Sequence, residues 1–370
     1  MLSPQVYVPG LQGVIAAQTR LSRVDGQRGR LLIAGYEVED LALQASYEEA
    51  LYLLWHARRP SKDELAGFCA QLAQARTISP TTLAVLAEAA GADPMDALRA
   101  GAATLRSTGQ DATDGVRAVA AMPTLVAAHS RLRLGLDPIA PRADLGHSAN
   151  LLWMLEGALP SPARVRALDT YLVTVMDHGL NASTFVARVI VSTGSDLISA
   201  VVGALGALKG PLHGGAPGPA LETVFEIATP ERAEPVLRDK LARGERLMGF
   251  GHRVYKVRDP RADVLGAAAA RMFDQAGDRS LYELARHVET VAIRLLDEAK
   301  PGRALRTNVE FYTALLLHGL GLETAQFTPV FAVGRTGGWV AHGLEQRAAA
   351  RLIRPDAAYV GPEGLVWAEA

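Results

Sequence analysis

A helix-start pattern, Ser-x-x-Glu followed by apolar residues at helical spacing, recurs along this chain. It occurs at Ser46-x-x-Glu49, Ser61-x-x-Glu64 and Ser280-x-x-Glu283. In such a capping box the serine and the glutamate satisfy each other's free backbone N–H groups at a helix start. After the third box, one helical face collects Leu284, Val288, Val291, Ala292 and Leu295. The pattern predicts a succession of amphipathic helices.

The segment 11–38 differs from the rest of the chain. Asp25-Gly26 lies between two apolar runs, which is a hairpin signal; the runs are Val14 to Ala16 and Leu31 to Ile33. We expect a small β-ribbon here. No series of buried strands alternates with helices, so a doubly wound α/β fold is not expected. The predicted class is all-α with a small N-terminal β-ribbon.

Length and charge narrow the function classes. A chain of 370 residues suggests two or three domains, at about 150 residues each. The 38 Lys and Arg residues nearly cancel the 39 Asp and Glu residues, giving a net charge of −1. This balance argues against a nucleic-acid partner, which requires a basic face. The Gly-Pro cluster at 210–219 and the turn near Thr328-Pro329 are candidate domain boundaries.

The cysteine count and the lengths of the apolar runs indicate the cellular compartment of the protein. The single cysteine, Cys69, excludes a disulfide framework and a multi-cysteine metal site. The first ten residues carry no basic cluster and no long apolar run, so no signal peptide is expected. The longest apolar stretch, 197–208, is too short for a bilayer, which needs about 20 residues. We therefore expect a cytoplasmic protein with no membrane partner.

Polar residues crowd beside glycines in four segments, and two of these contain a histidine in a glycine-rich turn. His213 follows Gly210 and precedes Gly214 and Gly215, so a ligand could approach the backbone closely. A neutral imidazole there could donate a hydrogen bond to a carbonyl that gains negative charge. A helix-capping histidine is an equally good interpretation of the same residue taken alone.

The second of these histidines, His252, is followed by a basic run. The cations are Arg253, Lys256, Arg258 and Arg261, and Asp259 partly neutralises them. Cations beside a glycine-rich turn suit a phosphate or a carboxylate. A solvated helix face is the alternative interpretation of the same run.

The other candidates are weak singly. Glu310, followed by Phe311 and Tyr312, could be a desolvated base or an ordinary helix-start glutamate. Arg335, Arg354 and His178 could bind carboxylates or be structural. The histidines have no Asp, Glu or Cys at ligand spacing, so no metal site is predicted. Together, the residues favour activation of a carbonyl compound that carries carboxylates.

Taken in order, the motifs resemble the citrate synthase family, in its short bacterial form. The resemblance runs from Gly10 through Gly361, nearly the whole chain. It rests on Gly10-Leu-Gln-Gly-Val, Gly-Arg-Leu-Leu-Ile-Ala-Gly-Tyr36, His147-Ser-Ala-Asn-Leu, Asp177-His-Gly-Leu-Asn-Ala-Ser-Thr-Phe, Gly-Pro-Leu-His213-Gly-Gly, Gly-Phe-Gly-His252-Arg-Val-Tyr-Lys, Asp-Pro-Arg261, Asn-Val-Glu310-Phe-Tyr and Phe-Ala-Val-Gly-Arg335.

The resemblance implies a two-domain, mostly helical homodimer. The large domain would comprise 1–214 and 326–370, and a small mobile domain would comprise 215–325. The family condenses acetyl-CoA with oxaloacetate and hydrolyses the citryl thioester. It needs no metal or redox cofactor, since the acyl carrier is a cosubstrate.

The resemblance also implies a role for each matching position. His213 would hydrogen-bond the thioester carbonyl, Glu310 would be the base, and His252 would polarise the ketone of oxaloacetate. The carboxylates of oxaloacetate would be held by His178, Arg261, Arg335 and, from the other subunit, Arg354. Lys256 would lie near the phosphates of CoA.

The sequence departs from the family around this site. Glu310 stands where the family has aspartate, and Arg306-Thr307 replaces Tyr-Pro, which we expect to loosen the loop that aims the base. Further replacements occur at Gly179, Pro217-Gly218 and Thr313-Ala314. Three interpretations stay open: a citrate synthase with a glutamate base, a 2-methylcitrate synthase that uses propionyl-CoA, and a divergent non-catalytic paralogue.

Overall fold

The computed structural model of the protein describes residues 7–213, 217–252 and 254–367, and for Pro217 the backbone only. The described chain is mostly helical, which confirms the predicted class. Two short 3-10 helices lie at Pro9–Leu11 and Pro230–Arg232. The α-helices span Val38–Gln44 (α1), Tyr47–His56 (α2), Lys62–Gln74 (α3), Pro80–Glu88 (α4), Pro94–Ala103 (α5), Asp111–Arg133 (α6), His147–Glu156 (α7), Pro162–Val175 (α8), Ala182–Ser192 (α9), Leu197–Leu208 (α10), Pro217–Ile227 (α11), Ala233–Ala242 (α12), Pro260–Ala276 (α13), Ser280–Ala299 (α14), Val309–Gly319 (α15) and Thr324–Ala349 (α16).

The N-terminal ribbon is an antiparallel sheet in the order β1-β2-β3. Its strands are Ser22–Asp25 (β1), Arg30–Ile33 (β2) and Tyr36–Glu37 (β3). The hairpin prediction at Asp25-Gly26 is confirmed, because β1 pairs with β2 across this turn. The part of the prediction that placed Val14 to Ala16 in the ribbon is wrong, since that segment is not a strand.

Two of the three capping boxes form as predicted. The Ser46 side chain accepts from the Glu49 backbone and the Glu49 carboxylate caps Ser46 in return, and the box beginning at Ser61 has the same arrangement. The third box does not form: α14 begins at Ser280 itself, and the Ser280 backbone N–H, which the box would pair with Glu283, donates to the Asp278 carboxylate at 2.9 Å. A nearer acceptor has therefore taken the place of the predicted one. The apolar face predicted for this helix is buried.

Helix α16 packs closely against the end of α8 and the segment that follows it. A methyl group added at Gly338 would come within 2.2 Å of the carbonyl oxygen of Met176, so this position tolerates no side chain. Gly334 is similarly close to the backbone of Leu172. Backbone-to-backbone packing of this kind needs glycine. It places Asp177 and His178 alongside the helix that carries Arg335.

The ribbon packs on the loop that precedes α13. A methyl group added at Gly26 would lie 2.3 Å from the carbonyl oxygen of Val254, and the backbone N–H of Lys256 donates to the carbonyl of Gly26 at 2.9 Å. Helices α13 and α15 then pack against each other, with Gly266 beside the ring of Tyr312. The N-terminal ends of both helices therefore face the same side as the loop that carries His252.

Within the described ranges, no helix combines the length and the apolar character required to cross a membrane.

Candidate active site

Six of the eight residues singled out from the sequence line one cavity of about 870 Å³. They are His178, His213, His252, Arg261, Glu310 and Arg335. The chain also brings the segment Gly10 to Ala16 to this cavity. Sequence reasoning placed part of that segment in the β-ribbon and missed its contribution to the cavity wall, because an irregular segment of this kind has no periodic signature.

The ring of His252 is oriented by its own loop. Its Nδ1 accepts from the backbone N–H groups of Val254 and Tyr255, both at 3.0 Å. Since Nδ1 is an acceptor, the proton of the neutral ring resides on Nε2. Burial, reinforced by the charge of Arg261, lowers the pKa of His252 to about 4. The imidazole is therefore a neutral donor at neutral pH.

Arg261 offers a second donor beside this histidine. Its Nη2 lies 3.4 Å from Nε2 of His252. Two donors so placed converge on a shared acceptor such as a carbonyl or carboxylate oxygen. Asp259 holds the guanidinium in place: its two carboxylate oxygens accept hydrogen bonds from Nε at 3.0 Å and from Nη2 at 2.8 Å. Burial alone would lower the pKa of Arg261, but the adjacent carboxylate reverses this and the net shift is upward.

His213 is held by the start of α9. The backbone N–H of Ser183 donates to Nε2 of His213 at 3.3 Å, and the Ser183 hydroxyl lies 2.7 Å from the same nitrogen. The hydroxyl is fixed in turn by Trp339, whose Nε1 donates to it at 3.1 Å. An Nε2 that accepts places the ring proton on Nδ1. Burial, with a contribution from Arg335, lowers the pKa of His213 to about 4, so this ring is also neutral.

Arg335 and His178 complete the polar wall. Nε of Arg335 donates to the carbonyl of Val175 at 2.5 Å, which anchors the guanidinium at the end of α8. Burial lowers the pKa of Arg335 to about 10, so it stays charged at neutral pH. Burial together with Arg261 and Arg335 holds the pKa of His178 well below its usual value. The cavity therefore contains neutral histidines and buried positive charge, which suits an anionic, carbonyl-containing ligand.

Glu310 lies in the first turn of α15. Asn308 caps this helix, accepting from the Glu310 backbone N–H at 2.9 Å, and its amide donates to the carbonyl of Gly251 at 2.8 Å. One side chain thus joins the start of α15 to the residue before His252. Burial raises the pKa of the Glu310 carboxyl, although Arg261 opposes this shift. A carboxylate with a raised pKa is a stronger base than an exposed one.

The loop before Glu310 is anchored despite lacking the proline typical of the family. Gly251 N–H donates to the Arg306 carbonyl at 2.7 Å, and Asn308 N–H donates to the Gly249 carbonyl at 2.9 Å. The Thr307 hydroxyl donates to the buried carboxylate of Glu289 at 2.6 Å. The loosening expected from the loss of proline stays a prediction, and these three hydrogen bonds act against it. A threonine hydroxyl and two backbone bonds hold the loop instead.

Lys256 and Arg354 do not line the cavity. Both are exposed: Lys256 lies on the loop after His252, and Arg354 lies in the extended segment after α16. Lys256 and Arg258 do not lie on a helix face, because they belong to that loop, where Arg258 pairs with Asp263 and Glu289. Arg261 lies in the first turn of α13, but it is buried and pairs with Asp259, so it is not on a solvated helix face. Arg253, Gly214 and Gly215 lie outside the described residues.

Comparisons with known proteins agree with this geometry. The family model described as citrate synthase, C-terminal domain, matches residues 10–356. A citrate synthase of Haloferax volcanii is 43% identical over 96% of both chains. A 2-methylcitrate synthase of Mycobacterium tuberculosis is 39% identical over 96% of this chain and 91% of its own length.

Solved structures give the same result. A citrate synthase of Pyrobaculum aerophilum superposes with a TM-score of 0.90 at 37% identity, over 98% of this chain and 94% of that one. A Thermoplasma acidophilum citrate synthase, solved as a ternary complex with carboxymethyl coenzyme A and oxaloacetate, has a TM-score of 0.88 at 29% identity and covers 98% of both chains. A shared fold, shared motifs and full-length similarity coincide, and the chain belongs to the citrate synthase family.

Proposed function

We propose that this cavity condenses acetyl-CoA with oxaloacetate and hydrolyses the product thioester, so that acetyl-CoA, oxaloacetate and water give citrate and CoA. The observation that carries the proposal is the convergence of two neutral histidine donors, one carboxylate of raised pKa and two buried arginines on one cavity. The Thermoplasma acidophilum complex with carboxymethyl coenzyme A and oxaloacetate supports the same two substrate classes here.

The first step is removal of a proton from the acetyl methyl group. This carbon acid is weak, so a base and a donor to the carbonyl oxygen must act together. Glu310 takes the proton, and Nδ1–H of His213 stabilises the enol oxygen. A neutral imidazole suits this role because it donates a hydrogen bond without surrendering its proton fully.

The second step forms the carbon–carbon bond. The enol carbon attacks the ketone carbon of oxaloacetate, and the electron pair of the ketone moves to its oxygen. That oxygen takes a proton from Nε2 of His252, and the proton that Glu310 removed from the methyl group returns to this nitrogen through solvent, which restores the neutral ring and the carboxylate. Arg261, Arg335 and His178 hold the carboxylates of oxaloacetate, which fixes the ketone against the attacking carbon.

Hydrolysis completes the cycle. Water adds to the thioester carbon of citryl-CoA, the carbon–sulfur bond breaks, and CoA leaves as the thiol. The proposal includes no resident cofactor, since CoA arrives and leaves as part of the cosubstrate.

The expected domain division fits the sources of these residues. His178, His213 and Arg335 come from the proposed large domain, 1–214 with 326–370. His252, Arg261 and Glu310 come from the proposed small domain, 215–325. A cavity built from both would close when the small domain moves, and closure would exclude water during condensation.

The chain is further proposed to act as a cytoplasmic homodimer. Arg354 would enter the other subunit's cavity, consistent with its exposed position outside its own. Lys256, exposed on the His252 loop, would approach the phosphates of CoA.

A second candidate function is 2-methylcitrate synthesis from propionyl-CoA. It is favoured by the 39% identity to a protein named for that activity. The two substrates differ by one methylene, which is worth about 1–3 kcal/mol of discrimination in an apolar pocket.

The purified protein is expected to release CoA thiol when given oxaloacetate and acetyl-CoA. A thiol-reactive dye measures the rate, and parallel reactions contain propionyl-CoA or omit oxaloacetate. A higher kcat/KM with acetyl-CoA supports citrate synthesis, and a higher value with propionyl-CoA replaces it with the second candidate. Absence of thiol release with both, from folded protein, would overturn the catalytic assignment.

Replacing Glu310 tests its role as the base. Glu310→Gln is expected to lower kcat about 10²- to 10⁴-fold, the usual contribution of a general base. Glu310→Asp is expected to lower kcat as well, because the anchored loop is fitted to the longer side chain and a displacement of about 1 Å is costly.

The pH profile of kcat provides an independent readout of the same residue. The base must be ionised, so kcat falls as the pH drops through the raised pKa of Glu310, and Glu310→Gln removes this dependence. Glu283→Gln, in the first turn of α14, is the matched control and should leave the profile unchanged. Wild-type kcat in Glu310→Gln would rule out the carboxylate as the base.

Hybrid dimers test the donation of Arg354. Arg354→Ala and Glu310→Gln chains, co-expressed with different affinity tags, give a hybrid in which one of the two sites has both residues intact. This hybrid should show about half the wild-type activity per dimer, while each parent is inactive. An inactive hybrid would show that Arg354 does not serve the partner's site.

A further inference from the structure

Tyr255 lies directly behind the cavity wall. Its side chain is only 3% exposed, and it is absent from the residues that line the cavity. Nevertheless, Tyr255 contacts three residues that do line the cavity: His178 after α8, His252 in the loop before α13, and Arg261 in α13. The sequence places Tyr255 three residues after His252, inside a motif of the family resemblance, but the sequence alone indicates no role for it.

The hydroxyl of Tyr255 reaches across to His178. A hydrogen bond of 3.1 Å joins this hydroxyl to Nε2 of His178, and the ring centroids are 5.7 Å apart. Burial raises the pKa of Tyr255, so the phenol keeps its proton at neutral pH. Among the described hydrogen bonds, this is the one that orients the His178 ring from outside its own segment.

The backbone and ring of Tyr255 hold His252. Its N–H donates to Nδ1 of His252 at 3.0 Å, and the two rings lie 4.9 Å apart. That backbone bond is one of the two that assign the proton of His252 to Nε2. Tyr255 thus bears on which nitrogen faces the substrate as well as on where the ring lies.

The face of the same ring receives Arg261. The guanidinium carbon lies 5.7 Å from the ring centroid, within the range of a cation–π contact. Asp259 fixes this guanidinium from one direction and the Tyr255 ring supports it from another. The ring packs against both His252 and Arg261, and its hydroxyl reaches His178.

We propose that Tyr255 is a positioning residue that holds His178, His252 and Arg261 in the single arrangement that binds oxaloacetate. This proposal rests on the proposed function and deepens it, since it assigns the recognition of one substrate to a side chain that does not touch that substrate. The role follows from three simultaneous contacts and from the absence of Tyr255 from the cavity wall.

The three contacts separate experimentally, because Tyr255→Phe removes the hydroxyl alone. The backbone N–H, the ring face toward Arg261 and the packing against His252 remain. His178 then loses its bond to Tyr255 and gains rotational freedom. The loss should therefore fall on oxaloacetate binding, with little effect on acetyl-CoA binding or on the chemical steps once both substrates are bound.

Tyr255→Phe is expected to raise the KM for oxaloacetate about 3- to 10-fold, which is the range for one lost hydrogen bond. The kcat at saturating oxaloacetate should stay within about twofold, and the KM for acetyl-CoA should not change. Calorimetric titration with oxaloacetate alone should show the same weakening. Tyr255→Leu, which also removes the aromatic ring, should lower kcat in addition.

Tyr52→Phe is the matched control. Tyr52 is also a buried tyrosine beside a histidine and an arginine, with its hydroxyl bonded to Arg58, and it lies outside the cavity. This variant should leave oxaloacetate binding unchanged. The proposal is overturned if Tyr255→Phe binds oxaloacetate as wild type does, or if both KM values and kcat shift together as from general destabilisation.

Calorimetric titration with oxaloacetate distinguishes a failure of this proposal from a failure of the proposed function. A wild-type protein that binds oxaloacetate without releasing CoA thiol would contradict the proposed function and still allow the Tyr255 comparison. A wild-type protein that does not bind oxaloacetate would overturn the positioning role itself.

Discussion

The carboxylate of Asp259 is the interaction on which the site depends. Its side chain is fully buried and accepts four hydrogen bonds: from the backbone N–H of Arg261, from Nε and Nη2 of the same residue, and from the backbone N–H of Val309 at 3.2 Å. It therefore caps α13, neutralises the buried guanidinium and anchors the start of α15. One carboxylate fixes the arginine and the helix that carries Glu310 in a common frame.

Burying that much charge is costly unless every group is paired. An isolated buried guanidinium would be strongly destabilising, whereas a bidentate partner with its remaining lone pairs occupied offsets much of the desolvation. The arrangement leaves a net positive wall, because Arg335 has no carboxylate in direct contact among its described partners. This wall contributes to the lowered pKa values of His178 and His213, while burial contributes more.

A cavity with this electrostatic pattern distinguishes between its ligands. The positive charge and neutral donors suit a dianion such as oxaloacetate and oxygen atoms that gain negative charge. Glu310 stands apart as the one lining residue whose pKa rises through burial. The environment thus keeps the histidines neutral and makes the Glu310 carboxylate more basic. The proposed enol formation requires both a neutral hydrogen-bond donor and a base.

Features of the fold that depend on neighbouring residues were predictable from the sequence, whereas contacts between distant segments were not. The boxes at Ser46 and Ser61 formed as their local pattern predicts, and the box at Ser280 failed because the Asp278 carboxylate, two residues away, accepts from the Ser280 N–H instead of Glu283. No period in the sequence connects His178, His252 and Arg335, which meet only through packing. Their grouping was predictable through the ordered resemblance to a family, and Tyr255 remained hidden because buried tyrosines are common.

A crystal structure of the protein with oxaloacetate bound would test the central claim most directly, namely that Asp259 holds a preformed site. We expect the ketone oxygen to lie within hydrogen-bond distance of Nε2 of His252, with a carboxylate of the substrate on Arg261. The bonds from Asp259 to Arg261 and Val309 should be intact. A complex in which Arg261 leaves Asp259 to reach the substrate, or in which oxaloacetate binds elsewhere, would contradict the account.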